Sequence, residues 1–555
     1  MRRPGLEAAL GKEPAEVVYR NCCLFSPFTC EWEDTSIAVD GGVVVGVGPG
    51  YRGRVERDLS FARVVPGLID SHVHIESSLL SPAEFGRLVL AHGTTSVIAD
   101  PHEIANVAGA EGIRFMLEER KKTPLDIFYM LPSSVPATPE DVGGAVLTAG
   151  DLAPFLLEEG VLGLGEVMNV PGVLAGDPEV QRKLRLSPRV DGHAPGLSGM
   201  ELNAYIWAGV QSDHESTGPE EGREKLRRGM HLMIREGSTE RNLQALLPVV
   251  NGCTIQRCSF ATDDRHADML DGRGHIDDCI RTAMEYGLAI EDALRMATLS
   301  AAGRFGLEDR GAVAPGRLAD FCVIAPGREF RVERTIKRGR EMGDLSAPLL
   351  PPPFGPPVRA RAPAAADLIA SGQSGRARVI DLVPGQILTR GLEMEVDGAS
   401  LPDTGQDILR AVVVERYRRG GYGIGLVHGF SLQEGAIAGS ISHDAHQIVA
   451  VGADDAAIAR AIAEVIRSGG ALVAVSGDRV TRLPLPVGGL MSTAPYQEVV
   501  EGLGALNAHA EEMGSIKDPF MYLSFLALTV IPELRLTERG LVDVERGARV
   551  PLFIR

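Results

Sequence analysis

No run of about 18 apolar residues occurs in the chain, so nothing in it is expected to span a bilayer. Basic residues fall short of acidic ones, 56 against 74, and a net charge of −18 repels phosphate, which argues against a nucleic-acid partner. The cysteines (Cys22, Cys23, Cys30, Cys253, Cys258, Cys279 and Cys322) include no Cys-x-x-Cys pair and no disulfide-like framework. A reducing, cytoplasmic setting is the simplest expectation. Met1-Arg2-Arg3 is followed by no apolar h-region, so no export signal is expected. Two zinc signatures are missing as well. His74-Ile75-Glu76 has the H-x-E of the zinc nucleobase deaminases but no P-C-x-x-C partner. His102-Glu103 fails H-E-x-x-H because Asn106 stands where the second histidine belongs.

What remains is a globular composition, 44% hydrophobic and 23% charged, on 555 residues, too many for one core and enough for two or three domains. The organising stretch is Val64–Ile75, VVPGLIDSHVHI. Its apolar residues Val64, Val65, Leu68 and Ile69 read as a buried strand that delivers His72 and His74 to one face, since residues i and i+2 of a strand point the same way. Before it, residues 16–63 read as short strands, with Asp40-Gly41-Gly42 as a hairpin turn. After it, strand and helix alternate to about Gly306. Candidate strands end at His74, Asp100, Ser133, Glu166, His193, His214, Ser238 and Asp263, with helices over Pro82–Ala91, Ala105–Arg120, Ser198–Ala208 and Asp277–Ala302.

Eight such strands predict an α/β fold, a (β/α)8 TIM-type barrel, whose chemistry sits at the carboxyl ends of the strands. The expected layout has the first part of a small β-sandwich domain at 1–63 and the barrel at 64–306. The second part of the sandwich follows at 307–345, a proline-rich linker at 346–366 and a C-terminal α/β domain at 367–555.

Six of the eight strand ends carry His, Asp or Glu: His72 and His74, Asp100, Glu166, His193, His214 and Asp263. Four imidazoles (His72, His74, His193, His214) and two carboxylates (Glu166, Asp263) suit two borderline divalent ions such as zinc, manganese or iron(II). Glu166 is placed to bridge them, and two cations sharing a water lower its pKa. Asp263 would bind one ion and take that water's proton as general base. Asp264 is expected to orient Asp263 or to pair with Arg265. Arg235, Glu236 and Ser238 end the seventh strand within possible reach of substrate. The cluster His443-Asp444-Ala445-His446 reads as a hydrogen-bonded turn or active-site wall ahead of a third metal site.

VVPGLIDSHVHIESS, ADPHEIANVAG, DGHAPGLSG, SDHES and ATDDRH resemble the adenine deaminases of the amidohydrolase superfamily. The likeness continues through MIREGS, GHIDD, LPLPVGGLMS and DPFMYLSFLAL, from Val17 to Val544. Met200 departs from it, where lysine is expected. The resemblance implies hydrolysis of adenine to hypoxanthine and ammonia in purine salvage, by attack of a metal-bridged hydroxide at C6. It implies a binuclear manganese or iron(II) centre, with zinc as the alternative. His72, His74 and Asp263 would hold one ion and His193 and His214 the other, with Glu166 between them. Asp100, His102 and Glu103 would contact the purine or protonate its ring, against a plain reading as caps of the following helix. His102, Glu103 and His214 are the candidates for the ring proton. The expected partners are adenine and water, with no nucleic acid and no membrane, in a homo-dimer. The rival readings are a binuclear amidohydrolase of a cyclic amide or another base, and a non-catalytic binding homologue.

Overall fold

Strands from both flanks of the catalytic stretch meet in one sheet. The computed structural model describes residues 5–138, 141–327, 329–343, 354, 358–369, 373–417 and 420–554. Of the proline-rich 346–366 stretch, only Phe354 and residues 358–366 fall among these, so the linker expectation lies largely outside the described residues. The flanking sheet has seven strands, four from Ala15–Pro66 and three from Phe321–Glu341. Gly53–Pro66 sits centrally, parallel to Ala15–Ser26 and antiparallel to Phe321–Ile324. The Asp40–Val43 hairpin forms as the sequence indicates, with Gly41 at φ 60° and Gly42 at φ 78°, the two positive values that a type I′ turn requires.

Gly53–Pro66 runs through Gly67 into the barrel. We number the barrel strands β1 (Leu68–Val73), β2 (Thr94–Ala99), β3 (Asp126–Leu131), β4 (Val161–Val167), β5 (Val190–Gly192), β6 (Ser212–Asp213), β7 (His231–Arg235) and β8 (Cys258–Ala261). β1 to β5 pair in parallel in chain order, and so do β6 to β8. Backbone bonds close the circle. Gln211 N donates to Val190 O (3.1 Å) at one join, and Asp263 N to His72 O (3.0 Å) at the other. The strands are short, β-rich and almost wholly buried, as parallel strands covered by helices must be.

Two helices set the rim of the site. α1 (Pro82–Ala91) starts with Ser81 accepting from Glu84 N (3.4 Å) and with Pro82 in the first turn. α2 (His102–Glu119) is interrupted at Gly109, whose φ of 59° and ψ of −139° are not helical. The single helix expected over Asp277–Ala302 is broken. It comprises Ile276–Glu285, Ile290–Arg295 and, after a π turn, Ala301–Phe305. Gly287 at φ 92° ends the first piece in a left-handed turn.

The C-terminal part is mainly strands. An eight-stranded sheet, mostly antiparallel, runs from Gly375 to Pro484, a three-stranded sheet lies in 534–550, and helices cover Asp455–Arg467 and Tyr496–Glu512. It docks on the first two βα units. Ser492 N donates to Leu79 O (2.7 Å), and Tyr496 N to Glu84 Oε2 (2.9 Å). Gly488 lies so close to α2 that a Cβ there would be 2.6 Å from Ile104 Cδ1. Among the described residues, no helix is long and apolar enough to cross a membrane.

Candidate metal centre and active site

β1 ends by presenting His72 and His74, whose Nε2 atoms lie 3.1 Å apart. β4 ends with Glu166. Its Oε1 lies 3.2 Å from His74 Nε2 and 3.6 Å from His72 Nε2, while its Oε2 lies 2.8 Å from His193 Nδ1 and 3.3 Å from His214 Nε2. One carboxylate thus faces two imidazole pairs, one per oxygen. Asp263 Oδ1 completes the first group, 3.2 Å from His72 Nε2 and 3.1 Å from His74 Nε2. Asp263 sits at φ 55°, a left-handed conformation uncommon for a residue with a Cβ. β1 holds it there from both sides, because Asp263 N donates to His72 O and His74 N donates to Asp263 O.

All six groups are buried, and several of their atoms face one another without hydrogen bonds. Glu166 Oε1 and His193 Nε2 are buried with no hydrogen-bond partner among the described residues. His74 has its tautomer set, since Nδ1 meets the Asp100 carbonyl at 3.0 Å and must donate, which leaves Nε2 with a free lone pair. Mixed imidazole and carboxylate donors within 4.8 Å of one another fit divalent metal, as in the sets His72–His74–Glu166, His72–His214–Asp263 and Glu166–His193–His214. Burial acts to raise the carboxyl of Glu166, but His193, His214 and His74 outweigh it and hold it well below the usual carboxylate range. Asp263 is held low against burial in the same way, by His214, His72, His74 and Arg235.

Around this set the structure sorts the remaining expectations. Arg235 reaches the site, with Nη1 donating to Asp263 Oδ2 (2.8 Å) and its guanidinium paired with Glu215. Glu236 and Ser238 turn away, accepting from Leu243 N and His266 N. Asp264 does not pair with Arg265. It accepts from the Ser77 hydroxyl, and Arg265 is occupied by the Glu236 and Gly274 carbonyls and by Asp278. Asp100 is a correction. Its Oδ2 accepts from Glu166 N (3.0 Å), so it braces β4 from behind and does not line the cavity. Neither Asp100 nor Glu103 caps α2; Glu76 Oε1 accepts the first-turn N–H of Ile104 instead.

His102 and Glu103 do line the cavity. His102 Nδ1 is 3.3 Å from Glu166 Oε1, and its Nε2 is 3.3 Å from both Glu103 Oε1 and Asp444 Oδ1. Glu103 is gripped through both oxygens, by His443 Nδ1 and His446 Nε2. Burial works to raise its carboxyl, but His443, His102 and His446 hold it well below the usual range. Burial also works to lower His443, but Glu103 beside it pushes it up to about 9. Burial takes His446 down to about 4. This trio could in principle hold a metal. However, Ser442 N donates to His446 Nδ1 (3.3 Å), so Nε2 keeps its proton for Glu103, and a metal on Nε2 would require an imidazolate. The SHDAH turn is a clamp on Glu103 and a wall of the site.

The cavity at the centre encloses about 20 Å³. Besides candidate donors and Glu103 it is lined by Met168, Glu215, Arg235, Asp264, His443, Asp444, Ile387, Phe525 and Leu528. Larger clefts, of about 540 Å³ beside Trp32 and about 230 Å³ beside Lys183, hold no comparable convergence of imidazoles and carboxylates, so size does not mark the site.

The amidohydrolase family profile matches residues 63–342, and the adenine deaminase C-terminal domain profile matches residues 386–548. "Adenine deaminase" of Methanoculleus marisnigri is 66% identical over 93% of this chain and 99% of its own. The protein of the same name from Methanoregula boonei is 59% identical over 99% of this chain and 98% of its own. "Adenine deaminase 2" of Carboxydothermus hydrogenoformans is 45% identical over 99% of both. The chain belongs to the adenine deaminase family.

Met200, where lysine was expected, is 87% exposed and does not line the site. Glu215, Ile387, Phe525 and Leu528 were not singled out by sequence, whereas Asp444 belongs to the cluster read there as a turn or active-site wall. Glu215 had a signal, since it follows His214 in SDHES and pairs with the buried Arg235. The other three come from residues beyond 385, and nothing local marks them as facing a barrel.

Proposed function

We propose that the chain hydrolyses adenine to hypoxanthine and ammonia at a binuclear centre of manganese or iron(II). His72, His74 and Asp263 would hold one ion and His193 and His214 the other, with Glu166 between them. The observation that carries this reading is Glu166, whose two oxygens each face a separate pair of imidazoles. When bound, two such ions supply Lewis acidity and a water acidified toward neutral pH.

The chain's own groups do the rest. Asp263, kept ionised and oriented by Arg235 on Oδ2, accepts the proton of the attacking water and passes it to the departing amine. Adenine C6 takes a nucleophile readily only when a neighbouring ring nitrogen is protonated. Of the three candidates for that proton, Glu103 has both oxygens engaged by His443 and His446, and His214 faces Glu166 as a ligand. His102, on the cavity wall between Glu166 and Asp444, is the remaining donor. The groups around the cavity are buried, so their charges are weakly screened.

The test is ammonia release from adenine, adenosine, guanine, cytosine and cyclic amides with manganese or iron(II) supplied. Adenine should be turned over well and the others poorly. Turnover favouring adenosine, or none with adenine, would overturn the assignment.

A further inference from the structure

The wall opposite the metal-binding groups belongs to the C-terminal part, and it contains one carboxylate that the protein does not satisfy. Asp444 is 7% exposed and lines the cavity. Its Oδ1 lies 3.3 Å from His102 Nε2, but no donor among the described residues reaches Oδ2. A buried acceptor left unpaired is costly, and its neighbour Glu103 has two donors. Apolar Ile387, Phe525 and Leu528 complete the same wall, and Phe525 stacks on His443 with centroids 4.7 Å apart and planes at 18°.

We propose that Asp444 determines specificity in the purine site by accepting the N–H of the five-membered ring of adenine, with Phe525, Leu528 and Ile387 covering the ring faces. The proposal rests on the adenine reading above. His102 touches Glu166 with one nitrogen and Asp444 with the other, so Asp444 stands one imidazole breadth from the metal-binding groups. With C6 placed at those groups, the imidazole edge of the purine extends toward Asp444. Free adenine carries an N–H there, on N9 or N7. A nucleoside, or a base methylated at the nitrogen that meets Asp444, has none, and would leave the carboxylate buried and unpaired, the situation in which such a site rejects an analogue most strongly.

The experiment compares the metal-loaded wild type with Asp444→Ala and Asp444→Asn. It measures metal content, kcat and KM for adenine, and calorimetric affinity for hypoxanthine and for its N7- and N9-methyl derivatives. Asp444→Ala should keep its metal, raise KM more than it lowers kcat, and bind hypoxanthine about tenfold or more weakly, the effect of a lost bond to a charged group. Its affinity for the methyl derivative that the wild type rejects should not fall, so discrimination between the two purines shrinks. Asp444→Asn, which keeps an acceptor oxygen of the same shape, should be intermediate, and it decides by the same criteria if the alanine variant loses its metal. Equal losses for hypoxanthine and both methyl derivatives, or no loss, would overturn the role of Asp444. A wild type that binds hypoxanthine but does not depend on Asp444 sinks this proposal alone. A wild type that neither binds hypoxanthine nor releases ammonia from adenine sinks the functional reading beneath it.

Discussion

Glu166 is the residue on which the centre turns, because it is the one group that meets both imidazole pairs. Replacing it by glutamine keeps the shape and removes the charge, and a neutral amide bridges two cations poorly. Glu166→Gln should therefore lose both equivalents of metal on elemental analysis, whereas His72→Ala should retain less than two. A Glu166→Gln protein with full metal would remove it from the bridge. Asp263→Asn, assayed with metal measured on the same sample, should lower kcat by about 10²-fold or more, as expected for a lost general base. Near-normal turnover at full metal would exclude that role. The six candidate ligands could be brought together on paper because each lies at a strand end and the two-residue repeat fixes where its side chain points. Asp100 could not be sorted in the same way. It also closes a strand, and only the three-dimensional structure shows that its Oδ2 accepts from the Glu166 N–H and that it is not among the cavity's lining residues.

At the scale of elements, the strand–helix alternation was legible because short β-rich runs ending in polar residues recur eight times. The break in Asp277–Ala302 was less so, since a glycine within a helical pattern is tolerated as often as it terminates, and here Gly287 takes a left-handed turn. The SHDAH turn was legible as a turn or active-site wall, but its partner was not, because it acts across 340 residues of sequence, from His443 to Glu103. Its charge state gives a pH signature. His443, ordinarily near 6.5, titrates at about 9 when folded, so the stability it adds is complete below about pH 6.5, declines above that and is gone beyond about pH 9. Glu103, ordinarily near 4.5, is held lower, so its contribution is complete above about pH 4.5 and is lost as pH falls. The thermal midpoint should therefore drop between pH 6.5 and 9, and His443→Gln should lower the plateau and flatten that drop. An unchanged slope in the variant would mean that the pair does not stabilise the fold.

For the whole molecule, one apolar core runs through both halves. It joins Leu79, Phe85 and Ile104 of the barrel to Leu485, Leu490 and Met491 of the C-terminal part. Each fully buried side chain of this kind contributes about 1.5–3 kcal/mol, so the halves should unfold together, in a single calorimetric transition at fixed metal content. Two separated transitions would contradict this. A chain ending at Gly343 should expose that surface and bind a hydrophobic dye. The lining of the cavity bears on the tempo of turnover. Ile387, Phe525 and Leu528 of the C-terminal part stand on one side of it, so exchange of adenine for product is expected to displace that wall. Such a motion pushes solvent aside, whereas bond rearrangement within the site does not. Turnover at saturating adenine should then slow in proportion to the viscosity of added sucrose, and a poor substrate, limited by its chemistry, should not respond.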